Sequence, residues 1–384
     1  MSNSKNKPQY QLIIDYFQTK IDHGVLNAGD RIATENELMQ QFGVSRITVT
    51  RALKEMEHKG IVYRIRGKGS FIGSAAGTDP VAASDRDKPL SMKIVSAVMP
   101  VDQQIGVEIL QGMEMECRSR GVFVTFHNSA QDAKTERDIL LRLKREGVHG
   151  IMLYPVSGRT NLDVISELIV NRIPFTFVDR YVEGLDASCV VPRNRQGMYE
   201  LVSHLIRAKH ERIAFVSSPI NEVVSIQERF QGYCRALLDA GLALNKDWIV
   251  EEFSSSPHVD QSHMQTARKV VASLMALPKP PTALVAINDM TAVNLLKSAI
   301  EYGLSVPQHL SITGFDNLPI CEHVEVPLTT VAMPFHEMGR AAARVILGSM
   351  DGACPDTIEL SYDTKLVLRD STAEPYYGPL PKPR

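Results

Sequence analysis

Apolar residues recur at two different periods along this chain, and the change of period divides it. Near the amino terminus the repeat is helical: Tyr10, Ile13, Ile14, Phe17 and Ile21 share one face of a helix predicted over Tyr10–His23 and stopped by Gly24. Two shorter helices follow within Thr34–Lys59. Thr34 and Glu37 have capping-box spacing, Gly43 offers a permissive backbone for a tight turn, and Ser45 is placed to cap the second of these helices. On it, Val49, Ala52, Leu53 and Met56 make an apolar stripe, while Arg46, Ile47, Thr50, Arg51 and Lys54 lie opposite. Past Gly60 the period shortens. Ile61–Arg66 and Ser70–Ile72 read as strands around Gly67-Lys68-Gly69, a β-hairpin with a basic, glycine-rich tip. Three helices followed by such a hairpin predict a winged helix–turn–helix over residues 1–73.

Residues 74–91 are small, polar and aperiodic, and predict a flexible linker. From 92 to 370 short apolar strands alternate with helical patterns. The series starts with Lys93–Met99 and Gly106–Arg120 and ends with Thr282–Ile287, Met290–Tyr302 and Ser311–Phe315. This predicts an α/β domain of parallel sheets covered by helices, with ligand-binding loops at the carboxyl ends of the strands. Pro375, Pro379, Pro381 and Pro383 predict an extended or disordered tail over 371–384.

Charge sharpens the reading of the first module. The whole chain has a net charge of −2, yet Met1–Ser74 holds 11 Lys and Arg against 7 Asp and Glu, and Gly43–Ser74 holds 7 against 2. Positive charge is thus concentrated on the second helix of the pair and the hairpin, as attraction to phosphates requires. A helix packed on one side and cationic on the other suits the major groove, and the glycines of the tip would let backbone approach the minor groove while Arg66 and Lys68 meet phosphates.

Several other chemistries are disfavoured. GKG fails as a P-loop, because Val62 and Gly69 stand where Gly and Ser/Thr are needed, and Ile72 breaks the dinucleotide fingerprint. Cys117, Cys189, Cys234, Cys321 and Cys354 are scattered without a C-x-x-C pair, so they read as reduced thiols. The histidines lack metal-ligand spacing, and no G-x-S-x-G elbow or nucleophile–base pair is found. No catalytic residue, cofactor or metal is assigned. The polar amino terminus and the lack of long apolar runs predict a cytoplasmic protein with no membrane partner. A sugar-binding or sugar-modifying α/β enzyme with a regulatory amino-terminal module is the alternative.

Within the α/β region polar groups gather after strands. Asp179 and Arg180 follow PFTFV, Asn288 and Asp289 follow TALVAI, Asp316 follows SITGF, Phe253 follows WIVEE, and Arg229 opens a helix. Carboxylates and amides bind paired hydroxyls, Arg donates a fork, and an aromatic ring covers a C–H face, so the set suits a neutral polyol. Any one of them could instead be a cap or turn residue, Asp289 above all.

The motifs carry two resemblances. G-D-R-I (29–32), T-E-N-E-L (34–38), F-G-V-S-R-I-T-V-T-R-A-L (42–53) and G-K-G-S-F-I (67–72) resemble the DNA-binding domain of the GntR family. By that resemblance Glu35, Arg46 and Thr50 contact DNA, with Gly69 at the wing tip. Thr50 stands where the family often has Arg. The neighbours Ser45, Thr48, Arg51 and Lys68 complete the predicted DNA-binding set. F-V-D-R (177–180), R-F-x-G-Y-x-x-A-L (229–237), A-I-N-D-M-T-A (286–292) and G-L-S-V-P-Q-H-L-S-I-T-G-F-D-N (303–317) are similar to the LacI/GalR effector domain. That likeness implies two Rossmann-like lobes of the periplasmic-binding-protein type, with Arg180, Arg229, Phe253, Asn288 and Asp316 on a ligand in the cleft. Arg193, in PRNRQG, departs from an aspartate usual in the family. The pairing is similar to that of arabinose-responsive repressors. It implies a homodimeric repressor that binds double-stranded operator DNA and answers to a mono- or oligosaccharide effector.

Overall fold

A computed structural model describes residues 8–65, 69–73, 92–100, 104–253, 261–352 and 357–381. It divides into two units, Met1–Leu90 and Ser91–Arg384. In the first, helices α1 (Gln9–Asp22), α2 (Glu35–Phe42) and α3 (Arg46–His58) precede the antiparallel hairpin β1 (Val62–Ile65) and β2 (Gly69–Ile72), in which Val62 faces Ile72. The helices start where the side chains dictate. Thr34 Oγ1 accepts from the Glu37 amide while the Glu37 carboxylate accepts from the Thr34 amide at 2.7 Å, and Ser45 Oγ accepts from the Thr48 amide. Gly43, at φ 63°, turns the chain between α2 and α3. The predicted stripes meet in one core of Ile13, Ile14, Phe17, Leu38, Val49, Leu53, Met56, Val62 and Ile72. The tip residues Arg66, Gly67 and Lys68 and the predicted linker lie outside the described residues.

The second unit opens with β3 (Ile94–Met99), α4 (Gln104–Ser119), β4 (Phe123–Asn128), α5 (Ala133–Glu146), β5 (Gly150–Leu153), α6 (Leu162–Val170), β6 (Phe175–Val178) and β7 (Ser188–Pro192). The chain then crosses into a second lobe of α7 (Asn194–Arg207), β8 (Ile213–Val216), α8 (Val224–Asp239), β9 (Ile249–Val250), α9 (Gln261–Met275), β10 (Ala283–Ala286), α10 (Asp289–Tyr302), β11 (Ser311–Thr313) and the short α11 (Ile320–His323). Strand β12 (Thr330–Ala332) leads back to α12 (Phe335–Met350), which packs on the first lobe. Then β13 (Glu359–Tyr362) joins the first sheet and β14 (Lys365–Val367) pairs with β12. The sheets are parallel, in the orders β13-β7-β6-β5-β3-β4 and β11-β10-β8-β9. GIML, FTFV, IAFV and ALVA are buried throughout because helices cover both faces, whereas β4 lies at a sheet edge and exposes Phe123.

The return of α12 depends on glycine. A β-carbon on Gly339 would lie 2.0 Å from the Ile109 carbonyl oxygen, and one on Gly112 would lie 2.0 Å from that of His336. Backbone meets backbone there, so neither side can yield. Gly339→Ala should therefore cost ~1–3 kcal/mol and lower Tm by roughly 3–10 °C. An unchanged melting curve would mean that α4 and α12 do not approach this closely.

Three expectations change. Arg229, expected to open a helix, lies inside α8, which begins at Val224. The strand read in WIVEE, before Phe253, shrinks to the two residues of β9 after a 3-10 turn, Lys246–Trp248. Residues 371–381 run extended but are tied to the second lobe: Ser371 exchanges hydrogen bonds with Ile312, His210 Nε2 lies 2.8 Å from the Ala373 carbonyl oxygen, and Arg212 stacks on Tyr377. Among the described residues no helix is long and apolar enough to cross a membrane, and no His, Cys, Asp and Glu cluster could hold a metal.

Candidate functional site

On the amino-terminal unit Ser45, Arg46, Thr48, Thr50 and Arg51 lie at the cap and in the first two turns of α3, while Glu35 opens α2 and Gly69 opens β2. Arg46 is 76% exposed in its side chain, and its Nε donates to Glu35 at 3.4 Å. The other Glu35 oxygen accepts from Arg64 Nη2 at 2.5 Å. Hydrogen bonding by Arg64, then Arg46, holds the Glu35 carboxyl below its usual range although partial burial opposes this. Glu35 thus anchors the guanidinium that faces outward. Ser45 and Thr48 share the cap, their hydroxyls 3.0 Å apart, and Thr50 is half-buried. Arg51 is exposed, but its guanidinium lies 4.3 Å from the centre of the Tyr10 ring on α1, which steadies it. Gly69 sits at φ 112° beside the Arg31 guanidinium. Arg31 and Arg64 escaped the sequence reading because each lies outside the helix pair that drew attention. Lys68 lies outside the described residues.

In the second unit six of the seven predicted effector residues line one cavity, where about 100 Å³ is open to the centre of a water-sized sphere. Asp179 and Arg180 come from the end of β6, Phe253 from the end of β9, Asn288 from the end of β10, Asp316 from just beyond β11, and Arg229 from the second turn of α8. Arg229 is 7% exposed and each of its three nitrogens donates: Nε to Asn194 Oδ1 at 3.0 Å, Nη1 to the Ile287 carbonyl at 2.7 Å, and Nη2 to Asp316 Oδ1 at 3.1 Å. Its plane lies 3.9 Å from the centre of Phe315. Asp179 and Asp316 both have positive φ, 63° and 112°, and each is held by a hydrogen bond from its backbone N–H, to the carbonyl of Val190 and of Val331 respectively. Strain of that kind collects where a side chain must be aimed.

Asp179 is 5% exposed, and its Oδ1 and the Arg180 Nε find no hydrogen-bond partner among the described residues. Arg180 stacks on Tyr154 at 4.8 Å. Burial pushes the Asp316 carboxyl up to about 8, with Asp289 and Asp179 adding to the shift and Arg229 opposing it.

Asp289 is not in the lining and its reading as an effector contact is corrected. It is fully buried, and its oxygens accept from the Thr330 hydroxyl at 2.6 Å and the Leu318 amide at 2.7 Å. Asn288, not Asp289, caps α10, its Oδ1 accepting from the Thr291 amide at 2.9 Å. The cavity also includes Tyr154, Ser218, His263 and Asn294, which sequence reasoning passed over. Tyr154 had a signal, since it ends the run GIMLY as Asp179 ends its own strand. Arg193 ties two crossover segments together through Asp363 at 2.5 Å, which gives the departure at this position a local role.

A winged helix–turn–helix with a cationic face, on one chain with a two-lobed domain that encloses a polar cavity, defines a ligand-responsive DNA-binding regulator. Comparison with known proteins agrees. Residues 9–72 match the bacterial regulatory proteins of the gntR family, and residues 202–372 match the periplasmic binding protein-like domain. The chain is 29% identical over 383 residues to the arabinose metabolism transcriptional repressor of Geobacillus stearothermophilus, spanning 96% of this chain and 99% of that protein. It is 26% identical over 342 residues to the transcriptional repressor CytR of Escherichia coli K12, spanning 88% and 96%. Its fold is similar to that of the regulator CelR in complex with cellobiose, with a TM-score of 0.63 at 23% identity over 85% of this chain and 91% of that one. The protein is a DNA-binding transcriptional regulator that joins a gntR-type winged helix–turn–helix to a periplasmic-binding-protein-like domain.

Proposed function

We propose that the protein is a homodimeric repressor in the cytoplasm whose grip on operator DNA is set by a small neutral sugar in the cavity of the second unit. The observation that carries the sugar reading is the donor set. Among the described lining residues two carboxyl groups (Asp179, Asp316) stand with two guanidinium groups (Arg180, Arg229), so acceptors and donors share one cavity, as the hydroxyls of a polyol need. Meanwhile the unsatisfied Asp179 Oδ1 and Arg180 Nε call for a partner that both donates and accepts, as a hydroxyl does. Phe253 supplies an apolar wall for a sugar C–H face. The name of the Geobacillus relative points to the same class of ligand.

The sugar would act by binding one arrangement of the two lobes more tightly than another, which shifts the pair of DNA-binding heads. A few kcal/mol of differential affinity suffices. The test is thermal denaturation of the full chain against a panel of mono- and disaccharides, with Asp179→Asn alongside. A sugar at 100 times its Kd should stabilise the wild type by ~2.7 kcal/mol. Asp179→Asn should lose most of that shift, because an amide nitrogen would replace the acceptor the hydroxyl needs. Equal stabilisation of both proteins would remove Asp179 from the site. Light scattering reads the dimer directly.

A further inference from the structure

Ile47 is 82% exposed, the most exposed large apolar side chain among the described residues. It lies on α3 opposite the buried Val49, Ala52, Leu53 and Met56. At 3.6 residues per turn Ile47, Thr50, Arg51, Lys54 and His58 follow one another along a single outward ridge, and all five border the same shallow groove. Ile47 is the apolar member of a ridge that otherwise carries a hydroxyl and nitrogen bases. Its place in the first turn matters, because recognition helices present their amino-terminal residues to base edges. Most features of the major-groove edges are hydrogen-bond donors or acceptors; the thymine C5-methyl is the apolar one. As a β-branched residue on a helix, Ile47 holds one preferred rotamer, so little freedom is lost on contact.

We propose that Ile47 reads a thymine methyl in each half-site and makes the protein select thymine beside the base contacted by Arg46. This rests on the reading that α3 enters the major groove, and the experiment separates the two. Operator duplexes are selected from random DNA with the full-length protein, then each thymine is replaced in turn by deoxyuridine, which lacks only the methyl group. Wild-type affinity should fall about fourfold at one thymine per half-site, the equivalent of one methyl group removed from water. Ile47→Ala protein should bind the thymine and deoxyuridine duplexes equally. Two results would overturn the proposal: no deoxyuridine effect at any position, or the same thymine preference in Ile47→Ala. Arg46→Ala is run beside them. If it loses binding while no methyl effect is seen, only the role of Ile47 fails; if it binds normally, the groove assignment itself fails.

Discussion

Arg46→Ala should lower operator affinity by roughly a thousandfold at fixed salt and leave sugar affinity unchanged. A base contact by arginine is worth ~1–3 kcal/mol of discrimination, and the proposed dimer makes it twice at sites too distant to interfere. Taking ~2 kcal/mol per head gives ~4 kcal/mol, and each ~1.4 kcal/mol is tenfold in Kd. The side chain is 76% exposed, so its removal leaves no cavity and costs the fold little. What it takes away is a guanidinium held in place by Glu35, which is in turn held by Arg64. Fluorescence anisotropy on a labelled operator measures the loss. Repeating the titration across salt concentrations separates two roles: a base contact leaves the slope of log Kd against log salt nearly unchanged, while a phosphate contact lowers it by about one per head. Affinity within threefold of wild type would place Arg46 outside the interface.

That prediction was legible in the sequence because its causes are local. The capping box, the turn glycine and the apolar stripes of α1–α3 each lie within a few residues of what they determine. The strand ends of the second unit were legible for a related reason: a parallel sheet sends the residue after each strand towards one edge, so Asp179, Asn288 and Asp316 could be grouped without knowing the strand order. Where the reading missed, the deciding contacts are distant. Either Asn288 or Asp289 could cap α10 by spacing alone. Asp289 is committed elsewhere by Thr330, 41 residues on, and by the close approach of Gly314, whose β-carbon would lie 2.2 Å from its carboxylate. Arg229 looked like a helix-opening residue because Asn194 and Asp316, which fix it, are 35 and 87 residues away. The return of α12 to the first lobe rests on Gly112 and Gly339, which in sequence are merely two glycines within helical patterns.

Arg229→Met should abolish the response to sugar and destabilise the second unit by an amount that grows with pH. Methionine fills much of the same space but leaves Asn194, the Ile287 carbonyl and Asp316 without their donor. The sign follows from Asp316. In the unfolded chain it ionises near 3.9, whereas in the folded protein burial pushes it up to about 8. The folded state therefore holds a proton that the unfolded state releases, so stability declines as pH rises between those values and levels off above about 8. Arg229 is the group that opposes the shift; without it the folded carboxyl ionises at still higher pH and the decline continues. At pH 6 both proteins carry the proton, and the deficit is only the lost hydrogen bonds and the stack on Phe315. Above pH 8 the gap widens by ~1.4 kcal/mol for each unit by which the variant's carboxyl is raised further, towards the ~3–5 kcal/mol that an abandoned buried charge costs. Trp248, the one tryptophan of the chain, packs in the same lobe, so urea denaturation followed by its fluorescence reports this lobe. Stability curves that run parallel from pH 6 to pH 9 would show that Arg229 does not govern the ionisation of Asp316. The buried pair would then be a structural strut.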